Sequence, residues 1–151
     1  MTLRIERAQL DEMREHGEQT YPHECCGALV GDLNGAGDKT VKSVVRCGNT
    51  RTDSPRNRYG IEASELIRIQ RDAALAGQSI IGFYHSHPDC PAKWSATDLK
   101  EAHWTGCSYV ITSVENGRAS MTNSFLLVGA ERGKHFEEEA IDVNDSAQAE
   151  P

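Results

Sequence analysis

Hydrophobic positions along the chain follow two periods, one typical of strands and one typical of helices. The run from Ile80 to Tyr84 is continuously apolar, which predicts a strand covered on both faces. Apolar residues recur at helical spacing from Glu6 to about Thr20 and from Glu62 to Ala76, with Gly77 placed for a left-handed C-cap. Shorter apolar or β-branched runs predict further strands at Thr2–Ile5 (an edge strand), Ala28–Gly31, Thr40–Arg46, Tyr59–Ile61, Ser108–Val114, Ser120–Val128 and Lys134–Glu138.

Turn-forming residues separate these runs and set the predicted architecture. Asn34–Asp38 and Glu115–Arg118 predict hairpin loops, and the polar stretch Cys47–Arg58 predicts an exposed loop. The order of elements predicts one α/β domain over residues 1–140, with a mixed, partly antiparallel central sheet and flanking helices. Residues 141–151 are polar and acidic, and we expect them to form a disordered tail.

Composition narrows the classes of function. The net charge of −7 across 151 residues, without a Lys/Arg cluster, argues against nucleic-acid binding. No apolar run approaches the roughly 20 residues of a membrane span, and the amino terminus lacks a signal-peptide pattern, so a cytoplasmic location is expected. The five cysteines are odd in number and lack C-x-x-C spacing, which predicts free thiols rather than disulfides or a zinc knuckle.

Candidate metal ligands follow the central strand. His85 and His87 are two residues apart in an extended segment, so their imidazoles point to the same side. Asp98 falls in the first turn of a helix that opens at Ser95. Two neutral imidazoles and one carboxylate bind zinc and leave its fourth position to water. Without Asp98 a surface or core histidine pair would be the simpler interpretation, and the full spacing favours the metal. Three further histidines have no ligand spacing, and we expect them on the surface: His16, His23 and His135.

Three further residues have two interpretations each. Glu24 lies between a histidine and two cysteines directly before a buried strand, so it is either the base that takes a proton from water or a surface loop residue. Ser95 either caps the helix in a Ser-x-x-Asp box or donates to an oxyanion. Asp98 is not expected to bind zinc and close that cap together. Cys90 has a soft thiol ligand that could compete for the metal, although a loop thiol without a role is the simpler interpretation.

These residues together resemble the JAMM (MPN+) metallopeptidase motif, Glu…His-x-His-x(7)-Ser-x-x-Asp, and the likeness covers roughly residues 3–139. The resemblance implies a cytidine-deaminase-like fold and a Zn2+ cofactor. It implies that His85, His87 and Asp98 are the metal ligands. It also implies that Glu24 is the general acid/base and that Ser95 stabilises the tetrahedral intermediate.

The short chain and its Tyr-Pro-His-Glu-Cys-Cys-Gly segment look most like the prokaryotic branch of that family. That resemblance implies cleavage after the C-terminal Gly-Gly of a ubiquitin-like or sulfur-carrier protein, either to deconjugate it or to release an amino acid such as cysteine. A homodimer is compatible with so small a domain. Two alternatives stay open: a zinc hydrolase of small peptides or amino-acid amides, and a non-catalytic zinc-containing binding module. One departure is Trp94, which precedes Ser95 where family members often have proline.

Overall fold

Seven strands and three helices make up the computed structural model, which describes residues 1–49, 60–130 and 132–145. In chain order they are β1 (Thr2–Glu6), α1 (Arg7–Thr20), β2 (Cys26–Leu33), β3 (Lys39–Cys47), α2 (Ala63–Leu75), β4 (Ser79–Pro88), α3 (Ala96–Glu101), β5 (Ser108–Glu115), β6 (Arg118–Val128) and β7 (His135–Asn144). Within the described ranges, no helix combines the length and the apolar character that crossing a membrane requires.

The strands form one mixed sheet that closes on itself in the order β1-β3-β2-β4-β5-β6-β7. β1 runs parallel to both β3 and β7, and β4 runs parallel to β5, while the other pairs are antiparallel. The predicted mixed sheet and helices are confirmed, but the sheet is barrel-like rather than open. The prediction that Thr2–Ile5 is an edge strand is wrong, because β1 has a neighbouring strand on each side. The alternation of buried Leu3 and Ile5 indicates a strand but does not indicate how many strands flank it.

The seam between β1 and β3 is narrow. Backbone pairing joins these strands at Leu3–Lys39 and Arg4–Thr40. Beyond that point α1 lies against β3, where the Gln9 side-chain amide donates to the Val41 carbonyl at 3.2 Å. Closure of the barrel therefore depends on helix side chains as well as on strand pairing.

The carboxyl-terminal strand is longer than predicted. β7 runs to Asn144, four residues beyond the expected domain boundary at residue 140, and its last five residues pair with β1. Ile141 and Val143 pack on the core there, an alternation concealed by neighbouring acidic residues. The sequence also predicts a strand at Tyr59–Ile61, but Gly60 and Ile61 are not in a strand. Tyr59, most of the predicted loop at 47–58 and residues 146–151 lie outside the described residues.

Apolar side chains collect in two clusters, one on each face of the sheet. One cluster joins Leu29, Ile81 and Val110 to Leu10 and Met13 of α1. The other includes Phe83, Tyr109 and Ile111 together with residues of α2 and the region around α3. β4 contributes to both clusters and is buried from Ile80 to Pro88, which confirms the prediction of a strand covered on both faces.

A buried ion pair links strands on both sides of β1. Lys39 Nζ of β3 lies 3.1 Å from Glu139 Oε2 of β7, and both side chains are almost fully excluded from solvent. The hydroxyls of Ser108 and Ser124 donate to the other carboxylate oxygen of Glu139. This charge is therefore compensated on both oxygens, as a buried carboxylate must be.

Gly27 makes room for Tyr84, the residue before His85. A Cβ atom built on Gly27 would lie 2.1 Å from the Tyr84 ring, which is closer than non-bonded carbon atoms approach. The Tyr84 hydroxyl lies 2.8 Å from His16 Nδ1 of α1, so the ring is held from its far end as well. His16 is therefore half-buried, contrary to the expectation of a surface histidine.

We expect Gly27→Ala to lower the free energy of unfolding by about 2 kcal/mol or more, the scale of overpacking in a core. Urea denaturation followed by circular dichroism measures this. Gly35→Ala is the matched control, because nothing lies within 4 Å of a Cβ atom built on Gly35. Equal stability of the two variants would contradict the packing described.

Candidate metal centre

Strand pairing brings Glu24 next to the two histidines. Cys26 pairs with His85 across β2 and β4. The alignment continues one step further, since the Cys25 amide donates to Ser86 Oγ at 2.8 Å and the Ser86 amide donates to the Cys25 carbonyl at 3.2 Å. Antiparallel pairing continued by one residue sets Glu24 opposite His87.

The opposite face of β4 is packed against α1. Ser86, between the two histidines, is buried on that face. A Cβ atom on Gly17 of α1 would lie 3.3 Å from Ser86 Cβ, so the helix backbone rests directly on the strand. The imidazoles consequently stand on a strand that is supported from behind.

Three ligand groups converge at the end of β4. His85 Nε2 lies 3.2 Å from His87 Nε2, and the Asp98 carboxylate oxygens lie 3.4 Å from the first and 3.1 Å from the second. Zinc–nitrogen distances of about 2.0–2.1 Å and tetrahedral angles place neighbouring ligand atoms about 3.3–3.4 Å apart. The distances from His85 to Oδ1 and from His87 to Oδ2 are close to this ligand spacing, so the three groups could hold one metal ion.

The tautomer of His87 is set by the loop that follows. Its Nδ1 lies 3.0 Å from the Pro91 carbonyl oxygen, which can only accept, so Nδ1 carries the proton. Nε2 is then the ring nitrogen that faces Asp98, at 3.1 Å. A backbone carbonyl behind a histidine is the usual support of a metal ligand. Sequence reasoning missed Pro91, because a carbonyl acceptor leaves no mark in residue identity.

The charges at this point favour a cation. Burial lowers the pKa of His85, so the ring is neutral at physiological pH. Burial acts to raise the pKa of Asp98, but hydrogen bonds to His85 and His87 outweigh it and hold that pKa well below its usual range. A carboxylate and two neutral imidazoles are the donor set that zinc takes in open, catalytic sites.

Asp98 also closes the cap of α3. Ser95 Oγ accepts from the Asp98 amide at 3.1 Å, and Asp98 Oδ2 accepts from the Ser95 amide at 2.8 Å. The cap is therefore closed while the same carboxylate lies beside both histidines, with Oδ1 facing His85 and Oδ2 shared between the Ser95 amide and His87. That capping and zinc binding exclude each other stays a prediction.

Glu24 is a buried carboxyl in the same place. Its side chain is 2% exposed, and Oε1 accepts no hydrogen bond from the part of the chain that is described. Burial, with smaller contributions from Asp98 and Glu101, raises its pKa to about 9. Glu24 lines one cavity with His87 and Ser95, so the alternative of a surface glutamate is wrong.

The loop after β4 is held at its start by a turn. Asp89 has a left-handed backbone with φ of 55°. Its carboxylate accepts from the Tyr21 hydroxyl at 2.6 Å and from the Asn116 amide at 3.0 Å.

The cysteines are free thiols, as predicted. Cys90, which follows Asp89, is exposed and lines the cavity that contains Glu24, while the other cysteines are buried. His23 and His135 are exposed, also as predicted.

Comparison with known proteins identifies the family. The Prok-JAB model, described as prokaryotic homologs of the JAB domain, matches residues 6–126. This chain is a member of the Prok-JAB family. The resemblance to the short prokaryotic JAMM branch is thereby confirmed.

Several curated proteins are similar to this Prok-JAB chain. A Haloferax volcanii protein named desampylase is 36% identical over 104 residues, 69% of this chain and 72% of its own. A Thermus thermophilus protein, a probable TtuB-protein conjugate cleaving protease, is 32% identical over 119 residues, 79% and 75% of the two chains. A Mycobacterium tuberculosis CysO-cysteine peptidase is 26% identical over 123 residues, 81% of each chain.

Solved structures share the fold. A solution structure from Desulfitobacterium hafniense has a TM-score of 0.77 at 29% identity, over 99% of both chains. One from Salinibacter ruber has a TM-score of 0.71 at 37% identity, over 94% of this chain and 92% of the other. The barrel-like arrangement described here therefore belongs to a structural family.

The raised pKa of Glu24 predicts a pH-dependent stability of the metal-free protein. Since the folded state holds this proton more tightly than the unfolded state, folding should weaken as pH rises from about 4.5 toward 9. Glu24→Gln removes that loss. In the presence of chelator, its free energy of unfolding should exceed that of the unsubstituted protein by an amount that grows between pH 5 and pH 8, at up to about 1.4 kcal/mol per pH unit.

Denaturant titrations at several pH values test this prediction. The exposed residue Glu115 provides the control variant, Glu115→Gln, which should follow the unsubstituted protein at every pH. A constant difference between Glu24→Gln and the unsubstituted protein would show that the buried carboxyl does not titrate as described.

Proposed function

We propose that this Prok-JAB protein is a zinc-dependent peptidase that cleaves after the C-terminal Gly-Gly of a ubiquitin-like or sulfur-carrier protein. The observation that carries the proposal is the convergence of His85, His87 and Asp98 beside a buried Glu24. The names of the relatives, which include a conjugate-cleaving protease and a CysO-cysteine peptidase, support the class of substrate.

His85, His87 and Asp98 would hold the metal in this proposal. Bound there, zinc supplies Lewis acidity, which lowers the pKa of water to about 7 and polarises a carbonyl. Glu24 takes the proton from the attacking water and passes it to the departing amine. A carboxyl with a pKa raised above its ordinary value is suited to hold such a proton between the two transfers.

Ser95 has the remaining role. Its oxygen is occupied by the Asp98 amide, which fixes the side chain at the helix start. The hydroxyl proton is left to donate into the cavity shared with Glu24, toward the carbonyl oxygen that gains negative charge. The cap therefore positions the donor rather than competing with it.

Two cavities adjoin the ligands, and we assign one to each side of the scissile bond. The first, of about 240 Å³, adjoins Asp98 and is lined by apolar and aromatic residues, among them Leu66, Phe83 and Trp104. The second contains Glu24. Because Glu24 delivers a proton to the amine, the leaving group occupies the second cavity, and the carrier's tail occupies the first.

Metal binding provides the first test. We expect the purified protein to bind one equivalent of Zn2+, and Asp98→Asn to weaken binding by more than about 100-fold, since residues that merely support ligands already contribute 10–100-fold. Competition with a chromophoric chelator measures both. Glu24→Gln is the control and should bind zinc as tightly as the unsubstituted protein. Equal affinity in all three proteins would remove the proposed ligand set.

Cleavage provides the second test. Carriers ending in Gly-Gly, joined either to a lysine of a second protein or to a single amino acid, are incubated with the zinc-loaded enzyme. We expect hydrolysis that chelator abolishes, and a loss of at least about 100-fold in kcat for Glu24→Gln. Hydrolysis of small amides without any action on the carriers would support the small-peptide hydrolase. No hydrolysis by the zinc-loaded protein would support the binding module.

A further inference from the structure

We propose that Lys93 makes the leaving-group cavity selective for an amine that carries a carboxylate, so that the preferred substrate is a carrier bearing a single C-terminal α-amino acid. The inference rests on the proposed function and adds to it the class of leaving group. It chooses between two outcomes that the family leaves open, release of an amino acid and deconjugation of a protein lysine.

The cavity that contains Glu24 has room for such a leaving group. Its volume is about 400 Å³, and it opens to solvent beside Ser95. Its outer wall comes from the loop between β4 and α3, which contributes Cys90, Lys93 and Trp94. A free amino acid fits this space without any contact from a second folded protein.

The two cavities differ in their charged side chains, because the leaving-group cavity is lined by one carboxyl, Glu24, and one lysine. Lys93 is the one Lys or Arg side chain among the described residues that line the leaving-group cavity, and no described residue forms an ion pair with it. The tail cavity is lined by two carboxylates, Asp98 and Glu101, and by no Lys or Arg among the described residues. A carboxylate on the substrate is therefore accommodated on the Glu24 side of the bond.

The backbone of Lys93 is fixed relative to the ligands. Its amide donates to the Pro91 carbonyl at 2.8 Å, and the same carbonyl accepts from His87 Nδ1. The intervening residue is held by a hydrogen bond from Asn123 Nδ2 to the Ala92 carbonyl at 2.9 Å. The Lys93 side chain thus extends from a loop that is hydrogen-bonded to one of the ligand histidines.

The chemistry of the two leaving groups makes the distinction. Hydrolysis breaks the C–N bond, adds hydroxyl to the carrier's carbonyl carbon and returns a proton through Glu24 to nitrogen. An α-amino acid carries its carboxylate one carbon from that nitrogen, within the cavity that Lys93 borders. The side-chain nitrogen of a protein lysine has only methylene groups over the same distance, so Lys93 gains nothing from it.

Competing substrates test the inference. The zinc-loaded enzyme is given a carrier ending in Gly-Gly plus one amino acid with a free carboxylate, and the same carrier with that carboxylate converted to a primary amide. We expect kcat/KM to favour the free acid by about five-fold, the scale of a partly exposed ion pair, and the ratio to shrink at high salt. Lys93→Met should bring the ratio near one, and Lys93→Glu should invert it.

Lys42→Met is the matched control, since Lys42 is exposed on β3 and lines neither cavity. It should leave the ratio as in the unsubstituted enzyme. An unsubstituted enzyme that cleaves the acid and amide equally, or a ratio unchanged in Lys93→Met, would overturn the inference while the peptidase proposal stands. Faster cleavage of a lysine-linked carrier than of the free acid would also overturn it. Failure to cleave any carrier would remove the proposed function and the inference with it.

Discussion

The register between the start of β2 and the end of β4 is the constraint on which the site depends. Two hydrogen bonds between Cys25 and Ser86 carry the strand pairing one residue beyond β2 and leave Glu24 opposite His87. A shift of one residue would turn Glu24 to the other face of the sheet, because side chains alternate along a strand. His85 and His87 lie on one strand, whereas Glu24 is distant in sequence. The pairing of β2 with β4 is therefore what brings Glu24 to the histidines.

The site buries ionisable groups beside one another. Glu24 is buried near the Asp98 carboxylate, and its pKa is raised mainly by burial and in smaller part by Asp98. Such an arrangement costs stability, and active sites commonly carry a cost of this kind. The two apolar clusters, which bury side chains on both faces of the sheet, stabilise the barrel against this cost.

Local chemistry was readable from sequence, whereas contacts between distant segments were not. The spacing of His85 and His87 and the helix start at Ser95 are short-range patterns, and the structure brings these residues together with Asp98. Barrel closure through β1 depends on which strands meet, and the support of His87 by Pro91 depends on a carbonyl direction. Neither is encoded in the identity of neighbouring residues. The Ser-x-x-Asp cap itself is a short-range pattern, and the structure contains it.

The narrow β1–β3 seam has a consequence for motion at the metal centre. Beyond Arg4 the barrel is held shut there by α1, and the same helix rests through Gly17 on Ser86. Displacement of α1 from the sheet would open the β1–β3 seam. It would also remove the packing contact between Gly17 and Ser86 that supports the strand of both imidazoles. A helix that contributes no side chain to the cavities thus governs how firmly the ligands are held.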